Sequence, residues 1–256
     1  LGDSVYLRAI CEHFVRAGER VTALSNYPEI FEGSGCAVEP FRRERVDVVA
    51  HYVTGKANPG TTQWEDVCRA AGVAGPVPFS ISWTVKDPGG VSRLRERAAG
   101  RPVVLVQGGR TPMARTDGFG KELLPDRQAF EAALDAIRGD CYLVAVGKAE
   151  PIYRLPADED LTGRTTVSDL LDLFASCDAA VCQVGYAVPM AEVFDRPLLA
   201  VWADSGLKAR HPYIAQITPA KVLSKPTSVH VVDDWDLDRI RAAARRFLRL
   251  PEAVPA

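Results

Sequence analysis

No stretch of the 256 residues stays apolar for anything near the roughly 18 positions that a membrane-spanning helix needs. No basic segment followed by a short apolar core opens the chain either, so the expected compartment is the cytoplasm. Histidine is scarce: His13, His51, His211 and His230 lie far apart, there is no HExxH run and no Asp-x-Asp between apolar strands, and a built-in metal is not expected. The six cysteines (Cys11, Cys36, Cys68, Cys141, Cys177, Cys182) form no CxxC pair, and several stand inside apolar periodic runs, which reads as reduced and structural. With a net charge of −2 there is no overall basic field, so nucleic acid is not implied by charge. The arginine clusters at 42–45, 93–101 and 239–249 read as solvated faces. Neither a GxGxxG fingerprint nor a GxxxxGK[ST] loop is present.

What is present is an ordinary globular composition, 47% hydrophobic and 25% charged, with one informative stretch from Asp178 to Trp202. It reads as an apolar run (Ala179 to Cys182), a glycine turn, a short helix (Pro189 to Phe194) and a second apolar run (Leu198 to Trp202). Two short apolar strands separated by a crossover helix are parallel neighbours buried on both faces. Ligands of such sheets bind beyond the carboxyl ends of the strands, here the loop Gln183 to Val188 with Gly185 and Tyr186. The start of the helix favours an anion, and Glu192, one turn in, is placed to accept from ribose hydroxyls or simply to face solvent.

The first half begins with a helix from residue three or four, striped by Val5, Leu7, Ile10, Phe14 and Val15. Asp3 or Ser4 is a natural cap for it. In a nucleotide-binding half such a helix follows a strand through a glycine loop, so a strand is expected before Leu1. Strands are expected at Arg20 to Ser25 and Val46 to Ala50, the second ending in His51 and Tyr52, which are candidate acceptor-side residues. A helix should run from Thr62 to Ala71, and Pro76 to Asp87 reads as strand-like and aromatic. The domain boundary is expected near residue 100, dividing the chain into 1–100 and 101–256.

In the second half, Pro102 to Gln107 is a buried strand ending in Gly108, Gly109, Arg110 and Thr111. The glycines allow close backbone approach to a ligand, and Arg110 and Thr111 are phosphate donors. Lys121 precedes a helix over 127–137, Tyr142 to Gly147 is the next strand, and Thr166 with Asp169 forms a capping box. A last strand is expected at 229–232 and a terminal helix over 236–250.

The spacing Gly185, Glu192, Arg196-Pro197 and an apolar strand resembles the donor-nucleotide segment of glycosyltransferases of the two-domain GT-B type. Asp160 to Thr166, leading into VSDLLDLFASCDAAV, resembles more specifically glycosyltransferase family 9, the ADP-heptose:lipopolysaccharide heptosyltransferases. The resemblance implies that Gly2-Asp3 ends a Gly-x-Gly-Asp-like turn with Asp3 as catalytic base, and that Lys121, before Leu124-Pro125, contacts the donor's phosphates. It covers the first helix and most of the second half, and nothing over 27–100. It also breaks: an Asp-x-Gly-x-x-His-like run of the family is Gln183-Val184-Gly185-Tyr186-Ala187-Val188-Pro189 here, which removes its acid and its histidine.

The expectation is therefore an α/β protein of two Rossmann-like domains facing a cleft, acting as an inverting, metal-independent glycosyltransferase. Asp3 is the base; Gly109, Arg110, Thr111, Lys121, Gly185, Tyr186 and Glu192 hold a nucleotide-diphosphate sugar; Gly2, His51 and Tyr52 face the acceptor. No cofactor is implied, and the acceptor is a glycan, a lipid, a protein or a modified nucleobase. Two alternatives stand beside it: a sugar-nucleotide epimerase of the same architecture, and a scaffold that binds a nucleotide sugar without catalysis.

Overall fold

A computed structural model of the chain describes residues 1–42, 60–75, 77–108, 126–148, 154–203, 218–232 and 236–249. The described elements run α1 (Gly2–Arg16), β1 (Thr22–Leu24), a 3-10 turn (Pro28–Phe31), β2 (Ala37–Glu39), α2 (Gln63–Ala70) and α3 (Pro88–Ala98). They continue through β3 (Val103–Gln107), α4 (Arg127–Asp135), β4 (Tyr142–Ala145), β5 (Glu159–Asp160), α5 (Val167–Ser176), β6 (Ala179–Cys182) and α6 (Ala187–Val193). The last are β7 (Leu198–Trp202), α7 (Pro219–Val222), β8 (Ser228–Val232) and α8 (Leu237–Phe247). The strand expected at 46–50, with His51 and Tyr52, lies outside the described residues.

β3, β4, β6 and β7 are apolar over nearly every residue because they are buried on both faces, and they pair in parallel as such strands must. The sheet order is β5-β4-β3-β6-β7-β8; counted from β3 as the first strand this is the 3-2-1-4-5-6 order of a doubly wound nucleotide-binding sheet. The chain leaves β3 toward β4 and leaves β6 toward β7, so the carboxyl ends of β3 and β6 bound the crevice where the winding reverses. One apolar layer on the sheet includes Phe130 and Leu134 of α4 and Ile137 just after it, with Ile240 and Ala244 of α8. The other joins Leu171 and Phe174 of α5 and Met190 of α6 to Val5, Ile10, Trp64 and Phe79 of the first hundred residues. β1 and β2 form a small parallel pair of their own.

Local signals set the helix starts. Thr62 and Thr166 each form a reciprocal capping box, with Glu65 and Asp169. Asp87, Asp126 and Asp236 accept from the first turns of α3, α4 and α8, each cap being worth about 1 kcal/mol.

The stretch 77–87 forms no strand, contrary to its aromatic, strand-like pattern. Side chains from distant elements take up its backbone groups in place of a ladder. Glu12 Oε2 accepts from Ser82 N (2.8 Å), and Arg8 donates to Ser82 O. Asp172 Oδ1 and Oδ2 accept from Trp83 Nε1 (2.8 Å), Lys86 N (3.0 Å) and Asp87 N (2.8 Å), while Trp64 Nε1 donates to Val77 O (2.7 Å). The strap is thereby tied to α1, α2 and α5 at once. Replacing Asp172 with Ala leaves three donors without an acceptor and is expected to cost about 3 kcal/mol of stability, with faster proteolysis within 77–87. A melting curve and cleavage pattern unchanged in Asp172→Ala would contradict this account of the strap.

Candidate functional site

The site is built where two helix starts meet. Gly2 opens α1, and a Cβ placed on it would lie 3.3 Å from Tyr186 Cα and 3.3 Å from Pro189 Cγ. The absence of a side chain therefore lets the first turn of α1 rest on the first turn of α6. That contact brings Gly2 and Asp3, at one end of the sequence, to Gly185 and Tyr186, just beyond β6. Asp3 is exposed on the first turn of α1, where a carboxylate is favoured by the helix dipole. It does not cap the helix: Leu1 holds the cap position without a side-chain hydrogen bond, and Ser4 Oγ instead lies 3.3 Å from Ser25 Oγ.

Gly108 follows β3. A Cβ there would lie 2.8 Å from the ring of Phe130, so the glycine allows α4 to close onto the end of the strand. Gly109, Arg110, Thr111 and Lys121 lie outside the described residues, as do His51 and Tyr52.

Two glutamines complete the strand ends. Gln107 is the last residue of β3 and Gln183 the first after β6, joined by a backbone bond from Gln183 N to Gln107 O (3.1 Å). Both are buried, at 4% and 2% exposure, and the Oε1 atom of each has no hydrogen-bond donor among the described residues. Gln107 Oε1 lies 3.4 Å from where a Cβ on Gly185 would stand, which puts it against the turn after β6. A buried acceptor left unpaired costs about 1–3 kcal/mol; Gln107 pairs in register with Cys182, so the side chains of Gln107 and Gln183 leave the sheet toward opposite faces. The polar end of an otherwise apolar run was visible in the sequence; the missing partners were not.

Glu192 sits deeper than a residue facing a crevice. It is fully buried, and its Oε1 accepts from Ser224 N (2.7 Å), Lys225 N (3.1 Å) and Ser228 Oγ (2.7 Å), pinning the connection into β8. Its Oε2 has no partner among the described residues. Burial raises the carboxyl pKa against the lowering effect of Ser228, the Ser224 and Lys225 amides and the Lys225 charge. Tyr6 of α1 feels the charges of both this group and Asp3. Burial first, then the charges of Glu192 and Asp3, hold its phenol well above the ordinary range. Tyr6 stacks on Phe79 (4.8 Å between centroids), which stacks on Trp64 (4.7 Å), so the floor beneath the two helix starts is rigid.

α6 has only seven residues, so its dipole is weak help for a diphosphate. Among the described residues no three side chains of the metal-binding types lie together, and no helix is long and apolar enough to cross a membrane. The six cysteines are unpaired. Burial pushes the thiols of Cys11 and Cys177 up to about 12 and those of Cys68 and Cys141 to about 11, which removes them as nucleophiles. A cavity of about 930 Å³ lies at the opposite, amino end of the strands, bordered by Arg95, Pro102, Asp178, Pro197, Thr227 and Arg246.

No family model matches the chain, and no curated protein matches it in sequence. Solved structures do match in fold. One is E. coli ADP-heptose LPS heptosyltransferase II, at TM-score 0.52 and 16% identity over 94% of this chain and 80% of that one. The chain shares the heptosyltransferase fold. A second match is the iron-containing dodecameric glycosyltransferase TibC from enterotoxigenic E. coli H10407, at TM-score 0.52 and 13% identity over 90% of this chain and 59% of that one. The heptosyltransferase TibC in complex with ADP-D-beta-D-heptose matches at TM-score 0.51 and 11% identity, over 88% and 58%. The chain thus spans well under two thirds of TibC. The family resemblance read from the sequence is accordingly a resemblance of heptosyltransferase fold as well.

The raised carboxyl of Glu192 has a defined consequence. The folded chain keeps this proton at a pH where the unfolded chain, with an ordinary glutamate near about 4.3, has lost it. Its stability contribution is therefore full below that value and is lost as the pH rises through the raised folded value. Glu192→Gln, which retains an Oε1 acceptor without the charge, is expected to melt no lower than the parent at neutral pH. Glu192→Ala, which frees the donors of residues 224, 225 and 228, should lose about 2 kcal/mol. A Glu192→Gln protein that melts well below the parent at neutral pH would show that the ionised carboxylate is what the site requires.

Proposed function

We propose that the protein is a glycosyltransferase that moves a sugar from a nucleotide-diphosphate donor to an acceptor hydroxyl, with inversion and without a metal. The observation that carries the reading is the meeting of Gly2-Asp3 with the turn after β6 at the switch point of a heptosyltransferase-fold sheet. In the proposed reaction Asp3 takes the proton of the acceptor hydroxyl as that oxygen attacks the anomeric carbon. The bond between the anomeric carbon and the donor's diphosphate oxygen breaks, and the nucleoside diphosphate leaves with its electron pair. Arg110, Thr111 and Lys121 neutralise that leaving group in the role a metal plays elsewhere. Gly185 and Tyr186 form the wall against which the donor lies. His51 and Tyr52 belong to the acceptor side, and a division into two Rossmann-like halves near residue 100 is part of the same reading.

Glu192 as a ribose ligand requires its unpaired Oε2 to reach the donor while Oε1 stays bound to the β8 connection. The nucleotide, the sugar and the acceptor are open; TibC has been solved with ADP-heptose, which makes adenosine diphosphate sugars the first donors to try.

The test begins with thermal melting against nucleoside diphosphates and their sugars, since a ligand at about 100 times its Kd adds roughly 2.7 kcal/mol. With the donor so found, Asp3→Asn is expected to bind it as the parent does and to lower transfer, or slow donor hydrolysis by water, by about 100-fold or more. Full turnover in Asp3→Asn would remove Asp3 as the base. Binding without any turnover in the parent would favour the scaffold reading.

A further inference from the structure

The end of the sheet away from the candidate site gathers charge of one sign. Arginines from 93–101 and from 239–249, which read in the sequence as separate solvated faces, meet around the cavity of about 930 Å³ at the starts of β3, β6, β7 and β8. Arg95, Arg101, Arg246 and Arg249 line it, against one carboxylate, Asp178. That carboxylate is already engaged: its Oδ2 accepts from Val103 N (2.7 Å), and Arg95 donates to both of its oxygens, at 3.1 Å to Oδ1. Arg101 donates to Asp158 Oδ1 and to Cys141 O, each at 3.1 Å. Arg245, next in the chain to Arg246, is held by Asp140 (3.2 Å) and Ala136 O (2.7 Å).

Arg246 and Arg249 differ from these. Both are exposed, and among the described residues no carboxylate and no hydrogen bond ties down either guanidinium. The carboxyl end of α8 favours cations but is itself the negative end of a dipole, so an anion placed here must be held by the guanidiniums alone. Phe247 and Leu248 between them, with Val229 of β8 at 38% exposure, make the lining partly apolar. Two unneutralised guanidiniums match the roughly two negative charges of a phosphomonoester, whose oxygens suit their forked donors. A cleft lined by one sign of charge also concentrates such ions.

We infer that this cavity is a second binding site, taking a phosphomonoester joined to an apolar group. Arg246 and Arg249 hold the phosphate, and Val229, Phe247 and Leu248 meet the apolar part. In a nucleotide-diphosphate sugar the diphosphate is esterified at both ends and offers no terminal phosphate, so the site is distinct from the one beyond β3 and β6 and does not depend on the glycosyltransferase reading. The ligand is a soluble phosphate ester or the terminal phosphate of a lipid headgroup.

The experiment has two arms, run on the full chain and on the double variant Arg246→Gln, Arg249→Gln. In the first, calorimetric titration compares phenyl phosphate, inorganic phosphate and dimethyl phosphate. In the second, sedimentation measures binding to phosphatidylcholine vesicles with and without phosphatidic acid. Phenyl phosphate is expected to saturate the parent and to bind about tenfold tighter than inorganic phosphate, dimethyl phosphate to bind at least tenfold more weakly than phenyl phosphate, and the variant to lose tenfold or more for phenyl phosphate at an unchanged melting temperature. Should the variant melt low, Arg246→Lys with Arg249→Lys keeps the charge at the helix end and still removes both forks.

Saturation by phenyl phosphate identifies a soluble ester as the source. Sedimentation only with phosphatidic acid, abolished in the variant, identifies the lipid headgroup, and either result supports the site. No binding in either arm, binding that the variant retains in full, or phenyl phosphate held no tighter than inorganic or dimethyl phosphate while vesicles are ignored, would overturn the assignment. A variant that only melts lower, beside a parent that ignores phosphate in both arms, would leave the two arginines as stabilisers of the helix end and overturn it as well.

Discussion

The close approach of Gly2 to Tyr186 and Pro189 is the constraint on which the site depends. Two segments more than 180 residues apart in sequence meet closely at a point of α1 that carries no side chain. A Cβ there would be tighter against Tyr186 and Pro189 than most real contacts, so its neighbours would have to give by a few tenths of an ångström. The apolar layer beneath, from Val5 and Ile10 through Met190 and Phe174, holds the two helices in contact but does not by itself fix their register. Sterics fix it, because close-packed side chains tolerate little added volume.

Polar pins do the corresponding work for the segments without regular structure. Arg8 is fully buried, paired with Glu12 at 2.7 Å, donating to Ile30 O and Ser82 O and lying over the ring of Trp83. Asp66 and Lys221, both largely buried, tie α2 to α7. Burial alone would raise the Asp66 pKa, yet its bonds to Lys221 and Thr61, with the charges of Lys221 and Arg69, hold it below the ordinary range. Such buried pairs add less net stability than their geometry suggests, because desolvating the charges offsets most of the attraction. What they supply is position: removing one partner strands the other, so the connecting segments have one satisfactory arrangement. The aromatic stack of Tyr6, Phe79 and Trp64 occupies the space those pins enclose.

The strands at 103–107, 179–182 and 198–202 were readable as short apolar runs, since a parallel strand covered on both faces has no solvent side to show. Thr62, Thr166 and Asp236 announced their helices by chemistry that acts within three residues. β2 and β5 went unread because each is two or three residues long and carries acidic or partly exposed side chains, leaving no period to recognise. Strand-like composition at 77–87 misled because the groups that satisfy its backbone, Glu12, Arg8 and Asp172, come from far along the chain. For the site, Gly2, Asp3, Gly185 and Tyr186 were legible one by one, but their convergence is tertiary. The burial of Glu192 beneath residues 224–228 is tertiary too, and so is the lack of donors at Gln107 and Gln183.

The central claim is that ligand chemistry happens at the carboxyl ends of β3 and β6, on the surface made by the two helix starts. Amide hydrogen exchange, followed with and without a nucleotide-diphosphate sugar that stabilises the protein, tests it directly. The account predicts slowed exchange in residues 2–6, 107–108 and 183–188, with the amino ends of the same strands unchanged. Protection confined instead to the cavity around Arg95, Asp178 and Arg246 would place the ligand at the wrong end of the sheet and contradict it.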